Sequence, residues 1–243
     1  MEAKTMDAAA MKRQYDEKGY IVLYDLFTEE ETRQLKEEAR RVLDEEEAKY
    51  RKENDDPNAV PAFRKTGVYV GMTAASALFK KANTHPRILE ALAAVVSPKV
   101  DFWSDKIVFK NAETDFGSPW HQDHAYWFGS NKPSVWIALD DATIENGCLQ
   151  VVEGSHKHGY VPYVEQEGLG FQRQLSADVI DPDAVVTLEL KRGSAVLFHD
   201  LLFHASLPNR SGKDRWALIS TYRDATQVDP HYSFATAAFR VIG

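Results

Sequence analysis

The sequence predicts a mainly β protein with flanking helices, whose core is a double-stranded β-helix, the cupin-like jelly roll built from two packed sheets. The pattern of apolar and turn residues changes near residue 98. Residues 1–98 read mainly as helix, whereas residues 99–243 hold short apolar or alternating runs between turn residues. Many short strands at such spacing are typical of a sandwich or barrel. We therefore expect one domain over residues 1–243, with the N-terminal helices packed on one sheet of the jelly roll.

Local signals define the elements of the N-terminal part. Residues 7–18 form a polar helix, and residues 19–24 form an apolar strand. Thr28 begins a long helix, because its hydroxyl can cap the first turn and the carboxylates of residues 29–31 suit the positive end of the helix dipole. The rest of this part is expected as a charge run that frays into a loop (44–56), an irregular segment (58–72) and two short helices (about 73–82 and 86–96).

Eight strands are predicted in the C-terminal part, each a short apolar or alternating run. Glycines such as Gly117, Gly129 and Gly193 separate them, as turn residues do. No Gly-rich phosphate loop and no internal repeat interrupts this pattern. The runs lie at 100–110, 118–123, 133–140, 147–152, 184–190, 194–199, 202–206 and 215–223.

Composition narrows the function classes. The net charge of −8 and the pI near 5.5 disfavour a nucleic acid or an anionic membrane surface as a partner. Cys148 is the only cysteine, so an internal disulfide and a cysteine-based zinc site are both excluded. The N-terminus lacks the apolar core of a signal peptide, and no apolar run reaches the roughly 18 residues of a membrane span. We expect a soluble, cytoplasmic protein.

The most informative motif is Trp120-His121-Gln122-Asp123. On a β-strand, residues two apart share a face, so His121 and Asp123 would point the same way. With the distant His204 they give two imidazoles and one carboxylate, the ligand set of non-haem Fe(II) oxygenases with open coordination positions. Arg215, shortly after His204, supplies the fixed cation that a dicarboxylate co-substrate needs. The pattern predicts an enzyme that binds iron and 2-oxoglutarate.

Other metal sets remain open at this level. His156 and His158 are two apart but lie in a turn sequence, and His199 with Asp200 competes for the distal role. Arg215 favours His204, because a turn followed by a strand from residue 215 would place the two side by side on neighbouring strands. A zinc hydrolase is disfavoured, since the chain has no His-Glu-x-x-His helix.

Five segments of the chain resemble the phytanoyl-CoA dioxygenase family of Fe(II)- and 2-oxoglutarate-dependent oxygenases. The central segment and the closing one, which carries Asn209 and Ser211 with His204, are the most specific. The segments are 15–26, 84–89, 109–123, 135–156 and 193–222.

The resemblance implies a role for each matching residue. His121, Asp123 and His204 would hold Fe(II), and the presence of Asp123 speaks against the halogenases of this chemistry. O2 would be the oxidant and 2-oxoglutarate the co-substrate. Arg215 would form a two-pronged salt bridge with the distal carboxylate of 2-oxoglutarate. The remaining co-substrate contacts would be Ser206 as hydrogen-bond donor, Trp136 as packing partner, and Lys110 or, in its place, Lys106.

The candidate substrate-binding residues are predicted only from their positions in the sequence. His124, Tyr126 and Trp127 follow the first metal pair and are expected to line the pocket. Arg64 and Tyr69 belong to the irregular segment that could close over it, and Gln150 is expected to point inward. The expected reaction is hydroxylation of a small-molecule metabolite with release of succinate and CO2. The alternatives are a cupin-like metal-binding or sensor protein and a sugar-type isomerase on the same fold.

Overall fold

The computed structural model of the chain describes residues 7–54, 58–112, 114–166, 172–229 and 235–243. Its helices are α1 (Ala8–Lys18), α2 (Glu29–Glu53), α3 (Ala62–Thr66), α4 (Met72–Ala75), α5 (Ala77–Asn83), α6 (Pro86–Val95) and α7 (His124–Trp127). Its strands are β1 (Tyr20–Leu23), β2 (Val68–Val70), β3 (Val100–Lys110), β4 (Ser118–His121), β5 (Ser134–Ala138), β6 (Leu149–Val152), β7 (Val164–Glu165), β8 (Arg173–Gln174), β9 (Val185–Leu188), β10 (Ala195–Phe198), β11 (His204–Ser206), β12 (Arg215–Asp224) and β13 (Phe239–Ile242).

Two antiparallel sheets form the core. The larger has the order β1-β10-β5-β12-β3-β13, with β2 added to β3, and the smaller has the order β4-β11-β6-β9. Strands that are neighbours in space are mostly distant in sequence, as the crossovers of a jelly roll require. Apolar residues of both sheets, such as Trp136 and Val196 from the larger and Leu149 and Val151 from the smaller, belong to one buried cluster. The predicted jelly-roll core is confirmed.

The N-terminal helices cover the outer face of the larger sheet, as predicted. The alternation of β3 shows the two faces: Ile107 and Phe109 belong to the cluster that includes the helices. Lys106 and Val108, which point the opposite way, line a cavity inside the jelly roll. The outer face of this sheet is therefore structural, and its inner face is free to carry function.

The long helix differs from its prediction at one end. It begins as expected with a capping box, in which Thr28 and Glu31 satisfy each other's backbone N–H groups. The charge run does not fray, however, and α2 continues to Glu53. Ion pairs one helical turn apart, such as that between Arg41 and Glu45 with 2.6 Å between nitrogen and oxygen, support the charged stretch.

The segment predicted to be irregular is structured. It folds into α3 and β2 and runs into α4. Val68 pairs with Val108 and Val70 with Lys106, so β2 extends the larger sheet along half of β3. A strand of three residues is too short to show an alternating pattern of its own, which is why the sequence did not reveal it.

Among the residues that the structure describes, none of the helices combines the length and the apolar character that a membrane span requires.

Candidate functional site

Two histidines face each other across the smaller sheet. His121 is the last residue of β4 and His204 the first of β11, and the two are direct partners in the strand register. Their ring centroids are 4.1 Å apart, and both side chains are buried. Each Nδ1 lies against a backbone carbonyl, Pro119 O at 2.7 Å for His121 and Leu202 O at 2.9 Å for His204. A carbonyl can only accept, so each Nδ1 donates and each Nε2 is left as a lone-pair ligand.

Asp123 completes the group by a route that differs from the predicted one. It does not share a strand face with His121, because β4 ends at His121 and Asp123 has helical backbone angles (φ −59°, ψ −35°) at the start of α7. The turn brings its Oδ1 to 3.8 Å from Nε2 of His121 and 3.7 Å from Nε2 of His204. Ser134 donates to the other oxygen, Oδ2, at 3.0 Å and fixes the carboxylate.

The protonation states of the three side chains suit a divalent cation. Burial, followed by the charge of His204, lowers the pKa of His121 to about 3, and burial also lowers the pKa of His204. Burial alone raises the pKa of Asp123, but the neighbouring His204, Lys106 and His121 and the hydrogen bond from Ser134 outweigh it, so the pKa is lowered. Neutral imidazoles and an ionised carboxylate are the forms that bind a metal. The ligand atoms lie within 4.8 Å of one another, and this donor set fits Fe(II).

The rival metal sets do not assemble in the described part of the chain, where His121, Asp123 and His204 are the one group of three possible ligands that converges. His156 directs Nε2 to the backbone oxygen of Asp16, 3.2 Å away. His199 lies 3.1 Å from Asp200, which also holds His124, so this pair belongs to a hydrogen-bonded turn.

Arg215 reaches the metal site from the opposite sheet. The prediction that it lies beside His204 on a neighbouring strand is wrong: β12 pairs with β3 and β5, and Arg215 is opposite Lys110. The side chain crosses the interior, where Arg215 is only 1% exposed. Its guanidinium lies over Trp136, with 5.4 Å from Cζ to the ring centroid. The arginine and the metal ligands therefore face the same space from two sheets, and they line one cavity of about 80 Å³.

The guanidinium of Arg215 is only partly satisfied. One terminal nitrogen donates to the backbone oxygen of Gly147 at 3.1 Å, but Nε and the other terminal nitrogen have no hydrogen-bond partner among the described residues. Burial lowers the pKa of Arg215 to about 10. Buried donors without acceptors are costly and rare in proteins. The unpaired N–H groups leave this guanidinium with free donors for the oxygens of a carboxylate, so the site fits the co-substrate.

Ser206 lines the same cavity, and the buried Lys110 contacts it from behind. Nζ of Lys110 donates to Oγ of Ser206 at 2.8 Å and to the backbone oxygen of Leu207 at 2.5 Å. Ser118 and Ser206 are hydrogen-bonded through their hydroxyls at 2.7 Å. Lys110 is fully buried, and burial together with the charge of Arg215 lowers its pKa to about 6. An anion bound beside Arg215 would offset the positive charge that lowers this pKa, and would favour the protonated form of Lys110.

Lys110→Met is expected to stabilise the protein without 2-oxoglutarate by about 1–3 kcal/mol near neutral pH, because folding of the wild type must remove the proton of a lysine that is charged in the unfolded chain. The pKa of Lys110 falls from 10.5 in the unfolded chain to about 6. Over that interval the unfolded wild type binds more protons, so its free energy of unfolding rises with pH and the advantage of methionine shrinks. Urea unfolding of both proteins at about pH 6.5 and about pH 9.5 measures this. An equal difference at both pH values contradicts it.

The predicted substrate residues divide into two groups. Tyr126 and Trp127 line a larger cavity that adjoins Asp123, and the Tyr126 ring is 6.2 Å from that of His121. His124 instead points to Asp200, with Nδ1 3.0 Å from Oδ2, and is not part of the lining.

Three other predicted substrate residues point away from both cavities. Arg64 binds the carboxylates of Asp44 and Glu47 on α2, at 2.7 and 2.8 Å. Gln150 donates to Thr187 on the neighbouring strand at 3.1 Å, because its neighbours Leu149 and Val151 take the inward positions. Tyr69 faces the helices on the outer side of β2 and packs against Phe63, with ring centroids 5.4 Å apart.

Several residues that were not predicted from the sequence line the larger cavity instead. Val68 and Val70, on either side of Tyr69, face inward. Ile219 and Thr221 share the face of Arg215 on β12, and Ser104 shares the face of Lys106 on β3. Because alternate residues of a strand share a face, the positions of Arg215 and Lys106 were sufficient to predict that Ile219, Thr221 and Ser104 face the cavity.

Comparison with known proteins agrees with this geometry. The sequence model of the family described as Phytanoyl-CoA dioxygenase (PhyH) matches residues 15–217. The chain is 30% identical to L-proline trans-4-hydroxylase of Streptomyces griseoviridis over 168 residues, 60% of this chain and 63% of the relative. It is 34% identical to Phytanoyl-CoA dioxygenase of Arabidopsis thaliana over 99 residues, 40% of this chain and 35% of the relative. These matches thus span less than two thirds of either relative.

Solved structures show the same fold at lower identity. The apo form of the non-heme monooxygenase ThoJ superimposes with a TM-score of 0.77 at 24% identity, covering 96% of this chain and 84% of that one. EvdO2 from Micromonospora carbonacea var. aurantiaca, in complex with 2-oxoglutarate, gives 0.69 at 22% identity, covering 92% and 94%. The family model covers most of the sequence, and the jelly roll with its two histidines and one carboxylate agrees with it. The chain belongs to the phytanoyl-CoA dioxygenase family.

Proposed function

We propose that this protein is an Fe(II)- and 2-oxoglutarate-dependent dioxygenase that hydroxylates a small-molecule metabolite and releases succinate and CO2. One observation carries the proposal: three buried ligand atoms and a buried, half-unpaired guanidinium line the same cavity from opposite sheets. A metal-binding module alone has no use for a carboxylate clamp. When bound, Fe(II) with 2-oxoglutarate and O2 supplies the oxidising chemistry.

The residues of the chain perform binding, orientation and exclusion of water. His121, Asp123 and His204 hold the metal, with Ser134 and two backbone carbonyls fixing their orientation. Arg215 pairs with the distal carboxylate of 2-oxoglutarate over the face of Trp136. Ser206, held by Lys110 and Ser118, presents its hydroxyl to the same group. The larger cavity beside Asp123 takes the substrate.

Names of relatives support the substrate class. A proline hydroxylase and a probable alpha-ketoglutarate-dependent hypophosphite dioxygenase of Stutzerimonas stutzeri are both similar to this chain, the second at 25% identity over 89% of it. Both names describe small-molecule substrates. The particular substrate is not carried over from either.

The test is co-substrate binding followed by turnover. Isothermal titration of the Ni(II)-loaded protein with 2-oxoglutarate should show binding at one site per chain. The Fe(II)-loaded protein in air should then convert 2-oxoglutarate to succinate, faster in the presence of a substrate. If the metal-loaded protein binds no 2-oxoglutarate, the proposal is wrong, and the cupin-like metal-binding or sensor protein takes its place.

A further inference from the structure

The larger cavity has a volume of about 340 Å³ and adjoins the metal site. It shares Val68, Lys106, Asp123 and Ile219 with the smaller co-substrate cavity. Its volume lies at the low end of the roughly 300–1,000 Å³ of ligand pockets. It has room for a small metabolite, and a coenzyme A thioester would not fit inside it.

The wall of this cavity is mostly apolar. Val70 from β2, Trp127 from α7 and Ile219 from β12 supply the apolar surface. Hydroxyl groups of Ser104, Thr221, Thr66 and Tyr126 lie around it. Such a wall favours a ligand with an apolar body and few polar groups.

Lys106 is the cation of this wall. It lies on the inner face of β3, opposite Ile219 of β12 and Val70 of β2, and it is half-buried. In the described part of the chain, its ammonium group makes no hydrogen bond and no ion pair with a carboxylate. Charged groups that are removed from water are normally paired with an opposite charge. The ammonium group of Lys106 lacks such a counterion.

The acidic residues that border the cavity do not supply that counterion. Asp123 is a metal ligand, and a bound metal takes up its charge. The carboxylate of Asp105 points to the outer side of β3, where Thr73 donates to it at 2.6 Å and Asn83 at 2.9 Å. A ligand is therefore the remaining source of negative charge for Lys106.

The co-substrate has hydrogen-bond donors of its own. Arg215 offers two unpaired N–H groups, and Lys110 stands beside it with Ser206 and Leu207 as partners. Lys106 precedes Lys110 on β3 by two pairs of residues. It therefore lies on the same face of the strand but nearer the substrate cavity. Lys106 lines both cavities, whereas Arg215 lines only the smaller one. With Arg215 available to the co-substrate, Lys106 is available to an anionic group in the larger cavity.

We propose that Lys106 binds a carboxylate of the substrate, and that the substrate is a small organic acid with an apolar body. The carboxylate lies at Lys106, where the two cavities meet, and the apolar part lies against Val70, Trp127 and Ile219. This inference rests on the proposed function, because it assumes that the smaller cavity is taken by 2-oxoglutarate. It assigns to Lys106 a role in substrate selection instead of the co-substrate role that the sequence suggested.

The test compares acids with their uncharged amides on the Ni(II)- and 2-oxoglutarate-loaded protein. The probes are 3-phenylpropanoate with 3-phenylpropanamide, and octanoate with octanamide, titrated by ligand-observed NMR. Because a charged hydrogen bond contributes about 1.5–3 kcal/mol, the wild type should prefer each acid at least about tenfold. Lys106→Met should remove the preference and leave 2-oxoglutarate affinity within about twofold. Lys49→Met, an exposed lysine of α2, is the matched control and should change neither value.

Two results overturn the assignment. If Lys106→Met weakens 2-oxoglutarate about tenfold and keeps the acid preference, Lys106 belongs to the co-substrate site. If the wild type prefers neither acid, or binds no probe, the substrate class is wrong. Failure of the proposed function looks different, because wild-type protein loaded with Ni(II) would then not bind 2-oxoglutarate in the first titration.

Discussion

Asp123→Ala is expected to reduce succinate formation from 2-oxoglutarate on the order of 10³-fold or more, because it removes the only anionic ligand of the metal. Its Oδ1 lies within 3.8 Å of both Nε2 atoms, so no other side chain in the group can replace it. Two neutral imidazoles alone hold Fe(II) weakly. Mass spectrometric detection of succinate measures activity, and isothermal titration with Ni(II) measures the loss of metal affinity.

The control for this variant separates chemistry from folding. Asp183→Ala removes an exposed carboxylate from a turn far along the chain and should keep wild-type activity. Circular dichroism should show that Asp123→Ala keeps the wild-type spectrum, because the sheets that carry His121 and His204 do not depend on this turn. Near-normal turnover by a folded Asp123→Ala protein would exclude the three-ligand centre.

Local sequence patterns are sufficient to predict some strands and side chains of this fold. The strand β3 was predicted with its observed bounds, because eleven residues with turn signals at both ends define it locally. The three metal ligands were also predicted, since residue type and spacing carry that information. The means by which Asp123 reaches the metal was not: the sequence suggested a strand, and the chain turns into α7 after His121. The predicted strand and the observed turn are different backbone conformations, yet each places the carboxylate of Asp123 near His121.

Pairing between distant strands is the part that local patterns do not encode. Arg215 follows His204 closely in sequence, yet the two strands belong to different sheets. Which strand pairs with which depends on packing of the whole jelly roll. Gln150 was placed on the wrong face for a related reason, and Tyr69 was assigned to an irregular segment instead of the short strand β2. A one-residue shift in a short strand exchanges its two faces, and short strands have too few residues to fix the phase.

Arg215→Met is expected to weaken 2-oxoglutarate binding by about 30- to 5,000-fold, because truncating one partner of a buried charge pair costs about 2–5 kcal/mol. Metal binding should be unchanged, since no metal ligand contacts the guanidinium. Arg215→Lys keeps a charge but not the two parallel donors, so its affinity should lie between those of the wild type and Arg215→Met. Isothermal titration of the Ni(II)-loaded proteins measures all three, with Arg40→Met, an arginine on the outer helix α2, as the unaffected control.

Stability provides a second, independent measurement on the same variant. Without 2-oxoglutarate, the buried guanidinium has two unpaired N–H groups and a pKa lowered to about 10, so its burial opposes folding. Arg215→Met should therefore unfold at the same temperature as the wild type or higher when no ligand is present. Saturating 2-oxoglutarate should raise the unfolding temperature of the wild type but not that of Arg215→Met, because only a ligand that binds the folded state stabilises it. An equal rise in both proteins would place the co-substrate carboxylate elsewhere than at Arg215.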